Sequence, residues 1–443
     1  MVIPGAKGSV TEILLGSADG SYKKANVSPV FEKMKEAEHI KAHLFDVDND
    51  GDLDLYLASG GVELSEYSEY LYDAVLINDG KGNFVHSGQK LPISERGIST
   101  GAITSGDIDQ DGDLDLFVGE RTKIGYYGSP CSGYILINNG KGQFEDQTQK
   151  ICPDLKDIGL ITDALFTDLD KDNIPDLVVV GEYMDLSIFK NSKGKLTSIT
   201  NKEKNKGWWN VIKAVDIDND GDMDIVAGNH GQNSRFKASS DYPIKLLFND
   251  FDQNGDAEAV LANAHEDGKL YPYALRHNLM SRMPMLKKKF QNFESFKSAD
   301  INQIFSKDQM KNMITMETNE LRSAIFVNDG NFSSHKVILP STVQYSPMFA
   351  IETMDVNGDN FVDIIMGGNL YGVQPEMGRY DASYGHILIN DGKGGFIDKS
   401  LDYGFSVKGE IRHIIFDGSS LHIFRNNDSV ISYKISKSDK ELN

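Results

Sequence analysis

Asp107-Ile108-Asp109-Gln110-Asp111-Gly112-Asp113-Leu114-Asp115 places carboxylates at relative positions 1, 3, 5 and 9 and a glycine at position 6, where the chain must turn sharply. Hard oxygen donors at this spacing suit Ca²⁺, which takes about six to eight oxygens at roughly 2.3–2.6 Å. The chain writes the stretch six times, beginning at Asp46, Asp107, Asp168, Asp216, Asp250 and Asp355. With side chains at 1, 3, 5 and 9 and the backbone carbonyl at 7, the expected ligand sets can be named. They are Asp46, Asp48, Asp50, Asp52 and Asp54; Asp107, Asp109, Asp111, Asp113 and Asp115; and Asp168, Asp170, Asp172, Ile174 and Asp176. The other three are Asp216, Asp218, Asp220, Asp222 and Asp224; Asp250, Asp252, Asn254, Asp256 and Glu258; and Asp355, Asn357, Asp359, Phe361 and Asp363.

An EF-hand would need a bidentate Glu at position 12 and flanking helices. Position 12 is Leu57, Val118, Val179, Ala227, Leu261 or Met366, none of them a carboxylate. Apolar, β-rich segments follow at once, as in Leu116-Phe117-Val118 and Leu177-Val178-Val179-Val180, which read as strands. The stretch is therefore read as a β-hairpin loop holding up to six Ca²⁺ per chain. The competing reading is a set of solvated acidic turns without metal.

A second element follows the loops: an apolar strand, an Asn-(Asp/Asn)-Gly turn and a strand opening on Phe. It is written at Leu76–Phe84, Leu136–Phe144 and Leu388–Phe396, more loosely at Ile188–Leu196. Such turns are strong hairpin signals. Four strands per unit, with the first motif starts 61 residues apart, give the pattern of a β-propeller blade. The expected architecture is all-β, one domain over 1–443, with seven blades. Units are expected at 40–90, 101–150, 162–200, 208–264, 265–340 and 345–402. Segments 10–27 and 409–436 would form a composite closing blade. The Asp250 motif is out of phase and is read as replacing the last turn of the fourth blade. Residues 276–320, rich in Met, Lys, Gln and Asn, are read as a helical insertion in the fifth blade.

Composition bounds the function. The net charge is −21; side chains at positions 1, 3, 5 and 9 carry 22 carboxylates, and six Ca²⁺ would bring the balance to −9. That acidity disfavours nucleic acid as a partner, since phosphate binding wants basic surface. No apolar run approaches a transmembrane helix, and Met1-Val2-Ile3-Pro4-Gly5-Ala6 has no leader-like pattern. Two cysteines, Cys131 and Cys152, leave metal rather than disulfides as the stabilising device; their pairing is left open.

Hairpin geometry puts the calcium loops and Asn-Gly turns on one face and the long loops 59–73, 119–133, 228–243 and 367–385 on the other. This second face is the expected ligand surface, with Trp208, Trp209, His230, Asn233, Arg235, Arg276, His277, Arg379, Tyr380 and Asp381 as candidates. Aromatics with Arg, Asn and Asp suit a glycan or an anionic group, and equally suit packing. No nucleophile elbow or zinc motif occurs, so no catalytic residue is assigned. An enzymatic alternative, a propeller polysaccharide lyase or hydrolase, would draw on His230, Arg276, His277 and Arg379, with Tyr273 or Tyr380 as base.

The loops at 107–118 and 216–227 resemble FG-GAP/VCBS repeats. That resemblance implies a calcium-binding propeller of the kind found in integrin α subunits and secreted bacterial proteins. The segments Gly207-Trp208-Trp209-Asn210, Gly228–Ser239, 284–290 and Gly378-Arg379-Tyr380-Asp381-Ala382-Ser383 are similar to the bacterial ASPIC/UnbV, cartilage-acidic-protein-like group. The resemblance implies an extracellular or cell-surface binding or adhesion protein, here expected to be monomeric, with a protein or glycan ligand. Asn173 and Asn360 stand where the turn glycine is usual, and Asn254 and Asn357 replace carboxylates.

Overall fold

Leu55, Tyr56 and Leu57 are consecutive in one strand, and all three are fully buried. A strand with both faces covered must lie between two other layers. In the computed structural model, which describes residues 1–17, 22–25, 28–94, 96–199 and 205–435, those layers are neighbouring antiparallel sheets. The first sheet runs His39–Phe45, Asp54–Ser59, Ala74–Asn78, Phe84–His86. The second runs Ser99–Gly106, Asp115–Thr122, Gly133–Asn138, Phe144–Asp146, and the third Leu160–Thr167, Asp176–Met184, Ser187–Asn191, Leu196–Ser198. The fifth is Met348–Met354, Asp363–Gly368, His386–Asn390, Phe396–Asp398, and the sixth Ile411–Phe416, Ser420–Arg425, Ile431–Lys434. Leading strands of successive sheets touch from the first to the sixth, and apolar clusters fill the wedges between sheets. The result is an all-β, propeller-like fold with few helices.

The leading strands bring charge to the centre of the ring. Lys41 pairs with Asp163 at 2.8 Å, reaching across the second sheet, and Lys213 pairs with Glu352 at 2.8 Å. His43 lies beside Ser105 at 2.8 Å. Burial, with Lys41 adding to it, pushes His43 down to about 4.

The fourth sheet departs from the expected unit boundaries. It is Val211–Val215, Asp224–Gly228, Ala324–Asn328, Ser334–Ile338. Its second and third strands are thus separated by a module with a sheet of its own: Leu270–Pro272, Glu258–Ala264, Ile244–Asn249 and Ile314–Thr318, in spatial order. The expected units 208–264 and 265–340 are one sheet with an insertion. The helices Arg276–Arg282, Leu286–Lys289, Phe293–Phe296 and Ile301–Ile304 lie inside that insertion rather than in a fifth blade. They share an apolar core with its sheet, including Leu247, Phe251, Met280, Met283 and Phe305.

The chain ends also differ from the expected composite blade. Val2–Ile3, Glu12–Gly16 and Tyr22–Lys24 form a three-stranded sheet distinct from the sixth. The two meet through side chains: the Tyr22 hydroxyl donates to Asp417 (3.1 Å), and its ring meets His422 edge-on at 5.0 Å. Of the two expected segments, residues 18–21, 26, 27 and 436 lie outside the described residues. Cys131 and Cys152 are free, buried in separate apolar clusters. No helix among the described residues is long and apolar enough to cross a membrane.

Candidate metal centres

Each acidic loop joins the first two strands of a sheet. Position 6 takes a positive φ, at Gly51 (91°), Gly112 (96°), Gly221 (88°) and Gly255 (97°). Asn173 (62°) and Asn360 (70°) adopt the same region, which Asn tolerates better than other L-residues. Position 4 is also left-handed, at Asn49, Gln110, Lys171, Asn219 and Gln253. Two left-handed residues curl the loop so that its first carboxylate accepts the backbone N–H of position 6, as in Asp46 from Gly51 (3.0 Å) and Asp216 from Gly221 (3.0 Å).

The curl gathers oxygen atoms. One oxygen from each of Asp46, Asp48 and Asp50 lies within 4.8 Å of the others. The same holds for Asp107, Asp109 and Asp115; Asp168, Asp170 and Asp176; Asp216, Asp218 and Asp224; and Asp250, Asp252 and Glu258. Several carboxylate oxygens of these sets are buried with no hydrogen-bond partner among the described residues: Oδ1 of Asp46, Asp48, Asp107, Asp170, Asp216 and Asp252. An unsatisfied buried carboxylate oxygen is costly, and at least one in each of the five gathered sets fits a hard divalent cation. The Asp355 loop gathers no such set among the described residues. With Asn357 in place of a carboxylate, its amide instead donates to Asp359 (2.8 Å).

Position 9 does more than offer a ligand. Asp54, Asp115, Asp176, Asp224 and Asp363 are fully buried. Each accepts the N–H of position 2 of its own loop and that of an Asn on the third strand. For Asp115 these donors are Ile108 (3.0 Å) and Asn138 (2.8 Å); for Asp224 they are Ile217 (2.8 Å) and Asn328 (2.7 Å). Burial pushes Asp115 up to about 7, against those backbone donors and helped by the charges of Asp109 and Asp111. Burial likewise pushes Asp176 and Asp224 up to about 6. These carboxylates crowd one another, and a bound cation would relieve the crowding.

The Asn of the Asn-Gly turn carries a role that its turn propensity does not announce. Its side-chain amide crosses to the neighbouring sheet and donates to the carbonyl at position 2 of that sheet's acidic loop. The pairs are Asn138 to Val47 (2.8 Å), Asn191 to Ile108 (2.9 Å), Asn328 to Leu169 (2.8 Å) and Asn390 to Ile217 (2.9 Å). The residues receiving these bonds are themselves apolar plugs in the inter-sheet cores. Each of these four loops is therefore tied to the next sheet. The signal in the sequence was the recurrence of Asn at 78, 138, 191, 328 and 390.

Two loops differ from expectation. The Asp250 loop does not share a face with the others. The Tyr126 hydroxyl, on a second-face loop, donates to Asp256 (3.3 Å). A Cβ on Gly128 of that same loop would meet Leu246, Phe248 and Ala259 of the inserted sheet. The insertion thus carries its acidic loop over the second face. Its Phe251 plugs the inserted core, stacked on Phe305 at 4.2 Å, and the Phe251 carbonyl accepts from Gln309 (2.8 Å), which replaces the Asn.

The third loop holds an internal cation. Lys190 stands where Ile77, Ile137, Val327 and Ile389 precede the Asn elsewhere. Its ammonium pairs with Asp170, and with Asp172 at 3.4 Å. A fixed positive charge on two ligand positions disfavours a second cation there. Lys190→Met is expected to add one calcium ion per chain in a calorimetric titration; an unchanged stoichiometry would remove Lys190 from this role.

The residues proposed for the second face are only partly brought together. The Trp208 ring lies 4.9 Å from His230 and 4.9 Å from Phe236, and His230 lies 5.0 Å from Tyr380. Arg235 sits over the Tyr273 ring at 5.3 Å and donates to the Tyr273 carbonyl (3.1 Å). Asn233 donates to the Tyr345 carbonyl (3.3 Å) beside them. His230 Nε2 is buried with no hydrogen-bond partner among the described residues, and burial pushes the ring down to about 4, leaving it neutral at pH 7.

Trp209 is not on this surface: it is fully buried between the third and fourth sheets against Phe326. Arg276 is spent on the Phe290 carbonyl within the insertion (3.0 and 2.6 Å). His277, next to it on the same helix, is exposed. Arg379 stacks on Tyr371 at 3.4 Å and faces Asp381 at 3.7 Å, apart from the Trp208 group. Sequence reasoning missed Phe236, which joins Trp208, His230 and Tyr273 into one cluster.

Comparison with known proteins gives a limited match. A family described as FG-GAP-like repeat matches residues 46–118 and 168–227, less than a third of the chain. No curated protein matches. Among solved structures, the chain is similar to one described as "Structure of Dos1 propeller", at 11% identity and a TM-score of 0.39, covering 96% of this chain and 82% of that one. Another, "YCF48 bound to D1 peptide", matches at 10% identity and a TM-score of 0.31, covering 90% and 92%. The matched repeats coincide with four of the acidic loops built above, and the chain carries FG-GAP-like repeats within a propeller-like all-β fold.

Proposed function

We propose that this chain is a calcium-stabilised binding scaffold, working outside the cell or at its surface, that presents its second face to a protein or glycan. The observation that carries the calcium half is the convergence of carboxylate oxygens in the acidic loops, each gathered set holding at least one that is buried and, among the described residues, unpartnered. The loops at Asp46, Asp107, Asp216 and Asp250 would each hold an ion through the residues at positions 1, 3, 5 and 9. When bound, calcium supplies charge neutralisation and crosslinks each hairpin. Loops tuned by three or four carboxylates suit the millimolar calcium of extracellular fluids, which supports the location. The binding half rests on the aromatic cluster around Trp208, with its buried, unpartnered His230 Nε2, beside variable loops, where recognition usually sits.

The test is a calorimetric titration of chelator-stripped protein with Ca²⁺ and, separately, Mg²⁺, followed by retention on protein and glycan arrays in Ca²⁺ and in EDTA. Four or more Ca²⁺ per chain, with Mg²⁺ much weaker, is the expected result. No calcium uptake would overturn the metal reading; ligand turnover rather than retention would overturn the scaffold reading.

A further inference from the structure

One segment of the inserted module reverses the charge of the molecule. Between residues 268 and 299 there are seven lysines and arginines and one acid, Glu294. This +6 leaves −27 on the remainder of a chain whose total is −21. The basic residues are displayed. Lys287, Lys288 and Lys289 are consecutive and exposed on the helix Leu286–Lys289, which Leu286 pins into the inserted core. Neither Lys287 nor Lys288 forms an ion pair among the described residues. Lys289 makes a long bond to the Ile304 carbonyl (3.4 Å) and lies over the Phe290 ring at 5.8 Å, with no ion pair among the described residues. Arg282 is exposed beside them in sequence.

An aromatic ring is displayed with them. Phe293 is 65% exposed, and the Arg276 guanidinium, held by the Phe290 carbonyl, lies over its ring at 5.5 Å. The single acid, Glu294, is taken up by Lys297 at 2.6 Å in an exposed pair. The module lies over the second face, while the acidic loops of the first, second, third and fourth sheets lie on the opposite face. The basic segment thus lies on the face opposite those four loops, and within its own module it is set apart in sequence from the acidic Asp250 loop.

We propose that this basic, aromatic-bearing face of the inserted module docks on a membrane surface rich in anionic phospholipid. Lysine ammoniums are compact point charges suited to a diffuse layer of headgroups. Each one near such a surface adds roughly fivefold in affinity. An exposed Phe adjoining them gains by entering the acyl boundary, a gain that a nucleic acid or a soluble polyanion does not offer. A long polyanion that wrapped the molecule would meet the −27 remainder; a plane touches only the module's end.

The experiment is co-sedimentation of the full chain, in calcium-containing buffer, with vesicles of phosphatidylcholine alone or with one third phosphatidylglycerol. The expected result is partitioning onto the anionic vesicles only. Lys287→Glu/Lys288→Glu/Lys289→Glu should lower it at least thirtyfold, and Phe293→Ser a few-fold, both with an unchanged near-ultraviolet spectrum. The control is Lys81→Glu/Lys141→Glu/Lys393→Glu, the same charge change on exposed turns of the opposite face, which should leave binding intact. Four results would overturn the proposal. These are no partitioning, equal loss in the control, pelleting without vesicles through self-association, and binding of a DNA duplex in place of vesicles.

Discussion

Chelation with EDTA is expected to lower the melting temperature of this protein by about 12 °C. An ion present at a hundred times its dissociation constant stabilises the folded state by about 2.7 kcal/mol per site. Four such sites, at the Asp46, Asp107, Asp216 and Asp250 loops, give about 11 kcal/mol. Unfolding entropy of about 2.1 cal/mol/K per residue over 443 residues is about 0.9 kcal/mol/K, and the quotient is the shift. The loss should not be spread evenly. The loops at Asp46, Asp107, Asp168 and Asp216 are tied to the next sheet through the carbonyl at position 2, as Val47 is to Asn138. A loop loosened by repulsion among its own carboxylates therefore frees one edge of an inter-sheet contact as well. Limited proteolysis in EDTA should cut first within the acidic loops, and differential scanning calorimetry in Ca²⁺, Mg²⁺ and EDTA measures the shift. A melting temperature indifferent to chelation would mean that the loops are solvated acidic turns, and it would take the calcium reading down.

How much of this was legible beforehand follows from what kind of signal each feature leaves. The acidic loops were legible because carboxylates recur there at fixed spacing around a left-handed turn; oxygens at positions 1, 3 and 9 do converge in four of the loops. The strand after each loop was legible because burial on both faces writes an unbroken apolar run, as at Leu177-Val178-Val179-Val180. The nested module was not. Its own sheet repeats the loop-then-strand grammar at Asp250, so a linear reading makes it the next half-blade. Only the pairing of Ile225 with Phe326, across a hundred residues, shows otherwise, and pairing across such a gap leaves no local trace. Lys190 was missed because a lysine in a strand is ordinarily a solvated side chain; its meaning comes from Asp170 and Asp172 arriving beside it. Trp208 and Trp209 illustrate the alternation rule applied too loosely. Adjacent residues on an extended segment point to opposite sides, so one joins the His230 cluster and the other enters the core against Phe326. They cannot serve one surface together.

Asp224→Ala and Asp220→Ala, in the same loop, are expected to behave differently, and the contrast separates scaffold from ligand. Asp220, at position 5, is exposed, and its removal takes away a metal ligand while leaving the strands paired. In EDTA it should melt with the parent protein; in calcium it should fall about 3 °C short, the worth of one site at about 2.7 kcal/mol. Asp224, at position 9, is fully buried and accepts the N–H groups of Ile217 (2.8 Å) and Asn328 (2.7 Å). Replacing it with alanine strands both donors where water does not reach them, at about 1–3 kcal/mol each. The cost is present with or without metal, so Asp224→Ala should melt about 4 °C low in EDTA and about 7 °C low in calcium. Since burial already pushes the Asp224 carboxyl up to about 6, the apo fold tolerates this charge only because two backbone donors and the loop geometry demand an acceptor there. The acid at position 9 thus serves the hairpin independently of the proposed ion. Equal melting of the two variants in EDTA would show that position 9 is a ligand and nothing more, and would sink the crosslinking role assigned to it.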